Sequence, residues 1–289
     1  MYSGSFVALV TPFKSSFDID YEAYGRLIDR QIDAGTHGLV PAGCTGEAAT
    51  MTIDEQKELI KFAMERVAGR VPVVAGTGSN NTKESLEITK FAKDVGVQGA
   101  LMITPYYNKP TVEGLIAHYT SVANEVEIPV MLYNVPGRTS VKMEPETIAE
   151  LNENPFIVSV KEACGSVNQV SEIRSLCDIN IMSGDDPLTL PMMSVGGSGV
   201  VSVAANVVPD KVAGLCNAYM DGDLKKAQDI HYDLMPLNKA LFVETNPLPV
   251  KRVLAEMGLI ENVLRLPLTP MLEAKYQSIV PVLKSSGLL

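Results

Sequence analysis

The chain is short of the residues that bind metals and redox groups. Its three histidines, His37, His118 and His231, stand alone, with no spacing that suggests a metal site or a catalytic triad. Its four cysteines, Cys44, Cys164, Cys177 and Cys216, are scattered without a CxxC pair, which argues against a zinc site or a disulfide framework. Basic residues are outnumbered, and the formal charge of −10 argues against nucleic acid as a partner and against a basic membrane anchor. No apolar run approaches the ~20 residues that a transmembrane helix needs. The opening residues, Met1 to Ser5, lack a basic signal-peptide region and pass straight into a strand-like run, so a cytoplasmic protein is expected. A GxGxxG turn after the first strand is also missing. Thr11-Pro12-Phe13 stands in its place, which disfavours a doubly wound dinucleotide fold.

What is present is ordinary globular material, 46% apolar and 20% charged over 289 residues. Short β-branched runs alternate with longer amphipathic stretches. Strands are expected at Phe6–Val10, Gly38–Val40, Val71–Ala75, Ala100–Ile103, Pro129–Tyr133, Phe156–Ala163, Asn180–Ser183 and Gly199–Val203. Helices are expected at Tyr21–Ala34 (with Asp20 as N-cap), Ile53–Val67 (with a Thr52/Glu55 capping box), Thr82–Val95, Val112–Val126, Pro145–Leu151 and Val167–Cys177. Eight such units imply parallel strands with right-handed crossovers, and their even spacing favours a (β/α)8 TIM barrel. Residues 1–223 form that barrel in this reading. Residues 224–289 form a small C-terminal appendage of three helices, punctuated by Pro247, Pro249, Pro267 and Pro270.

The sixth strand ends without a turn residue in Val160-Lys161-Glu162. A lysine there has two readings. It is either half of a buried ion pair, with Glu162 as the nearby partner, or a nucleophile whose pKa is lowered by desolvation. The packing of this strand is expected in Val158 and Val160. In a barrel of this kind the site lies at the C-terminal strand ends. Those ends carry Gly43-Cys44-Thr45-Gly46-Glu47, Gly76-Thr77-Gly78-Ser79-Asn80, Thr104-Pro105-Tyr106-Tyr107-Asn108, Tyr133-Asn134-Val135-Pro136-Gly137-Arg138-Thr139 and Gly184-Asp185-Asp186. Glycines and hydroxyls allow backbone N–H groups to approach an anion, a tyrosine beside a lysine can move a proton, and an arginine can fork onto a carboxylate. Singly, each has a bland reading: Thr45 as a helix cap, Tyr106 and Tyr107 as packing aromatics, Arg138 as a surface charge. Their gathering around Lys161 favours a site.

The chain resembles the dihydrodipicolinate synthase branch of the pyruvate-dependent class I aldolases, a superfamily that includes N-acetylneuraminate lyase. The likeness runs from Gly4-Ser-Phe-Val-Ala-Leu-Val-Thr-Pro12 through Tyr133–Thr139 and Val160-Lys-Glu-Ala163 to Phe242–Lys251. It implies a Schiff base between Lys161 and pyruvate. It also implies proton transfer by Tyr133, and a relay completed by Cys44 and by Tyr107 reaching in from a neighbouring subunit. Thr45 and the backbone at Val201 would hold the pyruvate end, and Gly184 would lie beside the substrate. Arg138 would bind the carboxylate of aspartate 4-semialdehyde. The product would serve lysine and diaminopimelate biosynthesis. No metal or organic cofactor is implied, because the protonated imine is itself the electron sink. A homotetramer of two tight dimers is implied, as is a regulatory lysine site at Ala49, Asn80, Glu84 and Tyr106. Ile53 and Gln56 stand where lysine-sensitive members carry histidines. The family has a hydroxyl where this chain has Cys44, and a thiol is a poorer donor and acceptor. Two other readings remain: a sister aldolase acting on neuraminate or a sugar acid, and a pyruvate-binding regulator without turnover.

Overall fold

Strands that are buried on both faces need apolar residues at nearly every position, and the β-branched runs of this chain meet that need. The computed structural model describes residues 2–289. It places strands at Gly4–Ala8 (β1), Gly38–Val40 (β2), Val74–Gly76 (β3), Gly99–Ile103 (β4), Val130–Asn134 (β5), Ile157–Glu162 (β6), Asn180–Ser183 (β7) and Gly199–Ser202 (β8). All pair in parallel, in the order β2-β1-β8-β7-β6-β5-β4-β3. The seam between β2 and β3 is bridged at Leu39 and Val73, with Gly76 N donating to Pro41 O at 2.9 Å. Gly76 is needed there, since a Cβ at that position would run into the carbonyl of Ala42. The result is a nearly closed (β/α)8 barrel.

Alternation sorts the side chains. Phe6, Val40, Val74, Leu101, Met131, Tyr133, Met182 and Val201 fill the barrel interior. Val7, Leu39, Val73, Ala100, Leu132 and Ile181 face the surrounding helices. The capping devices read from the sequence are formed. Asp20 accepts from Ala23 N at the start of Tyr21–Asp33, and the Thr52/Glu55 box closes the start of Ile53–Val67. The helix after β8, Pro209–Met220, starts on Pro209 and an acidic Asp210 in its first turn, for Val208 at the N-cap offers no side-chain bond.

One irregularity decides the site. Val130 pairs with Ile157, but the next residue, Met131, pairs with Ser159, so β6 carries an extra residue, Val158. Ile157 and Val160 both pack outward against the helices. Strict alternation from Ile157 would have turned Lys161 outward as well. The bulge resets the parity and turns Lys161 inward. The packing expected of Val158 is therefore carried by Ile157, and Val158 instead lines a cavity at the opposite end of the barrel.

The C-terminal helices are Leu224–Ala240, Leu248–Glu256 and Glu273–Ser285. They are stitched to the barrel by a buried ion pair, Lys251 Nζ to Glu47 Oε1 at 2.6 Å, with both side chains fully buried. No helix among the described residues is long and apolar enough to cross a membrane.

Candidate active site

The end of β6 delivers Lys161 into the barrel mouth, 5% exposed. Its Nζ lies 4.1 Å from the centre of the Tyr133 ring, and the two residues are register partners across β5 and β6. Glu162 points the other way. Its carboxylate accepts from Asn134 Nδ2 (3.2 and 3.0 Å), Gln169 Nε2 (3.0 Å) and Cys164 N (2.8 Å). The ion-pair reading of Lys161 and Glu162 therefore fails: the two side chains leave opposite faces of one strand, and the carboxylate is already satisfied. Burial lowers the Lys161 amine from 10.5 to about 8, opposed by Cys44 and Asp186 and reinforced by Arg138. Burial also raises the Tyr133 hydroxyl well above its ordinary value, so that it stays protonated.

The neighbouring strand ends complete the frame. Asp186, after β7, accepts from the Ser202 hydroxyl and from Val203 N (2.9 Å) and Ala204 N (3.1 Å), which fastens the end of β8 where Val201 lies. Gly184 leaves no room for a side chain, since a Cβ would come within 3.0 Å of Lys161 Cε and 2.6 Å of Ala163 Cβ. In the turn after β2, Ala42 and Glu47 are left-handed (φ 53° and 57°) and Thr45 is buried, its Oγ1 accepting from Asn246 Nδ2 at 2.9 Å. Arg138 follows β5 and donates to the Asn246 carbonyl at 3.2 Å.

A cavity of about 490 Å³ opens beside this group. Cys44, Tyr133 and Arg138 line it, together with Ala49, Ile53, Gln56, Glu84 and Tyr106. Asn80 is not part of that lining, but its amide donates at 3.1 Å to the carbonyl of Tyr106, which is. Lys161, Tyr133, Thr45, Cys44, Arg138, Gly184 and Val201 thus gather at one end of the barrel. Tyr107 does not join them: its side chain is 90% exposed and its backbone is left-handed, φ 71°. For a bulky residue that conformation is an outlier. The loop is held in it by Asn108 Nδ2 donating to Asn80 O at 2.8 Å.

Three residues of this region were not singled out in the sequence: Asn246, Lys251 and Asp186. The first two lie in the Phe242–Lys251 stretch that carries part of the resemblance, and Asp186 lies in the Gly184-Asp185-Asp186 strand end. Nothing local in the sequence says that Asn246 meets Thr45 or that Lys251 meets Glu47.

Residues 1–286 match the model of the dihydrodipicolinate synthetase family. A 4-hydroxy-tetrahydrodipicolinate synthase of Maridesulfovibrio salexigens is 52% identical, covering 100% of this chain and 99% of its own. Among solved structures, dihydrodipicolinate synthase from Aquifex aeolicus aligns with a TM-score of 0.97 at 46% identity over 99% of each chain. The Acinetobacter baumannii dihydrodipicolinate synthase in complex with pyruvate aligns with a TM-score of 0.98 at 40% identity over 100% of each chain.

Proposed function

The chain belongs to the dihydrodipicolinate synthetase family, and from that premise we propose how its residues condense pyruvate with L-aspartate 4-semialdehyde to 4-hydroxy-tetrahydrodipicolinate. It is an enzyme, and the product feeds lysine and diaminopimelate biosynthesis. The observation that carries the mechanism is the buried Lys161 amine, lying against Tyr133 with its pKa lowered to about 8.

The free amine attacks the keto carbon of pyruvate and gives a carbinolamine. Tyr133, kept protonated by burial, gives its proton to the departing hydroxyl, and water leaves as the imine forms. The protonated imine draws electrons from the methyl carbon. The methyl proton passes to the Tyr133 oxygen, and the resulting enamine attacks the aldehyde carbon of the second substrate, whose oxygen takes that proton back from Tyr133. The amino group of that substrate then closes on the imine carbon and releases Lys161. Thr45 and the backbone at Val201 hold the pyruvate end, Gly184 gives the bound substrate room, and Arg138 binds the carboxylate of the semialdehyde. Steady-state turnover with the two substrates tests the reading directly, and its absence would leave a pyruvate-binding protein instead.

Tyr107 enters this scheme from a second copy of the chain. Its exposure and unfavourable backbone are the supporting observations, because a single chain gains nothing from them. The assembly is a homotetramer of two tight dimers, working in the cytoplasm. Tyr107→Phe is expected to lower kcat about tenfold or more, since a relay member loses its proton. A fully active monomer in sedimentation at assay concentration would contradict the assembly.

Cys44 is the weak member of the relay between Tyr133 and Tyr107. A relay needs a group that donates and accepts in one step, with short, directional bonds, and a thiol does both poorly. One such contact in the transition state is worth about 1–3 kcal/mol, or roughly ten- to hundredfold in rate. Cys44→Thr is therefore expected to raise kcat by that factor and to leave KM for pyruvate within about threefold, because pyruvate is held by Thr45 and Lys161. An unchanged or lower kcat would show that the site has adapted to sulfur.

Lysine acts as a weak feedback inhibitor at Ala49, Asn80, Glu84 and Tyr106. The Glu84 carboxylate suits an ammonium group, while Ile53 and Gln56 supply no histidine contacts. Complete inhibition at sub-millimolar lysine would contradict the weakness.

A further inference from the structure

Asn246 lies between the helices Leu224–Ala240 and Leu248–Glu256, 201 residues along the chain from Thr45. It is 6% exposed, and it touches two members of the site by two different groups. Its Nδ2 donates to Thr45 Oγ1 at 2.9 Å, and its main-chain carbonyl accepts from Arg138 Nη2 at 3.2 Å. Its Oδ1 is buried without a partner. Among the described residues, the bond to Thr45 is thus the only polar contact of the side chain, and the amide is held by no network of its own. An acceptor is left unpaired there while one donor is kept in place, an arrangement that costs folding free energy and calls for an explanation.

The explanation follows from the chemistry of a hydroxyl, which has one proton and two lone pairs. With the Asn246 amide occupying a lone pair, the Thr45 proton is left for another acceptor. We infer that Asn246 is a positioning residue: it aims the Thr45 hydroxyl proton at the pyruvate carboxylate, and its carbonyl holds Arg138 in the same frame. The inference rests on the reading that Thr45 binds that carboxylate. It makes the C-terminal helical region part of the substrate site, since a single residue between two of its helices registers the groups for both substrates.

The test is the pyruvate concentration that half-saturates borohydride trapping, which reads imine formation with no second substrate present. Asn246→Ala frees the Thr45 rotor and is expected to raise it about fivefold, the value of one neutral hydrogen bond. Asn246→Asp keeps the shape but can only accept, so it takes the Thr45 proton and sets a charge near the pyruvate carboxylate; a rise of about tenfold or more is expected. This variant also serves if Asn246→Ala does not fold. The deciding arm is Thr45→Val. In that background Asn246→Ala is expected to add less than about twofold, because a residue that acts through Thr45 has nothing left to act on. If it adds its full factor, Asn246 works through packing and the inference is overturned. If Asn246→Asp leaves half-saturation unchanged, the inference is equally overturned. A Thr45→Val enzyme that traps pyruvate as well as the parent would instead remove the Thr45 reading itself, a separate and recognisable result.

Discussion

Borohydride added with pyruvate is expected to leave one pyruvyl adduct, on Lys161, and Lys161→Met is expected to form none and to lose at least about 10⁴-fold in turnover. Among the described residues the other buried lysine, Lys251, is held by Glu47 and by the Thr11 carbonyl and offers no free amine. Trapping should also follow pH. With the amine at about 8, the free form grows as pH rises toward that value, so the trapping rate should climb and then level off. An adduct on another lysine, found by peptide mass, would sink the mechanism.

The same substitution makes a prediction about stability. Folding moves the Lys161 amine from 10.5 down to about 8, so below pH 8 the folded protein carries a buried ammonium that the unfolded chain keeps in water. Between pH 8 and 10.5 the unfolded chain binds more protons, and stability therefore rises with pH across that window. The penalty is fully present below it and corresponds to about 3 kcal/mol. Lys161→Met, which fills the same space without a charge, is expected to be about 1–3 kcal/mol more stable than the parent at pH 7. The difference should shrink as pH rises from 8 to 10.5. A less stable variant at pH 7, measured by denaturant midpoint, would mean that Lys161 is not stored at a cost.

Lys251→Met is expected to have the opposite effect and a larger one, a loss of about 3–5 kcal/mol. Lys251 Nζ lies 2.6 Å from Glu47 Oε1, 3.0 Å from the Thr11 carbonyl and 4.4 Å from the Phe13 ring centre. Its removal leaves the Glu47 carboxylate fully buried, with the Arg265 main-chain N–H at 3.2 Å as its remaining hydrogen bond. An unpaired buried charge is the expensive outcome, and the pair itself contributes little beyond a well-packed apolar replacement. Adding Glu47→Gln to Lys251→Met should therefore recover much of the loss. Because Glu47 is two residues from Thr45, the single variant should also weaken pyruvate trapping. If the double variant is no more stable than Lys251→Met alone, the cost lies in packing and the electrostatic account fails.

Much of this architecture is legible in the sequence. The bounds of Gly38–Val40, Ile53–Val67, Val112–Val126 and Asn180–Ser183 are as read, because caps, turn residues and β-branched runs act on their immediate neighbours. That the site residues share one mouth is legible as well, since parallel strands in a barrel all end on the same face, and residues that follow strands must then gather there. The exception is Tyr107, which follows β4 as read, yet the single chain turns it to solvent.

The sequence alone therefore determined the order of elements, the barrel and the residue types at its mouth, because these follow from local propensity and the two-residue period of a strand. Tertiary structure decided what those rules leave open. Whether Lys161 faces the barrel or the helices depends on one bulged residue, Val158, and a run such as Phe156–Val160 does not reveal where its extra residue lies, since it is apolar at every position but Ser159 and shows no alternation. Which group meets Thr45, and which charge neutralises Glu47, depended on Asn246 and Lys251, 201 and 204 residues away in the chain. Contacts of that range arise from closure of the barrel and docking of the helices upon it, and no local preference in either segment encodes its partner.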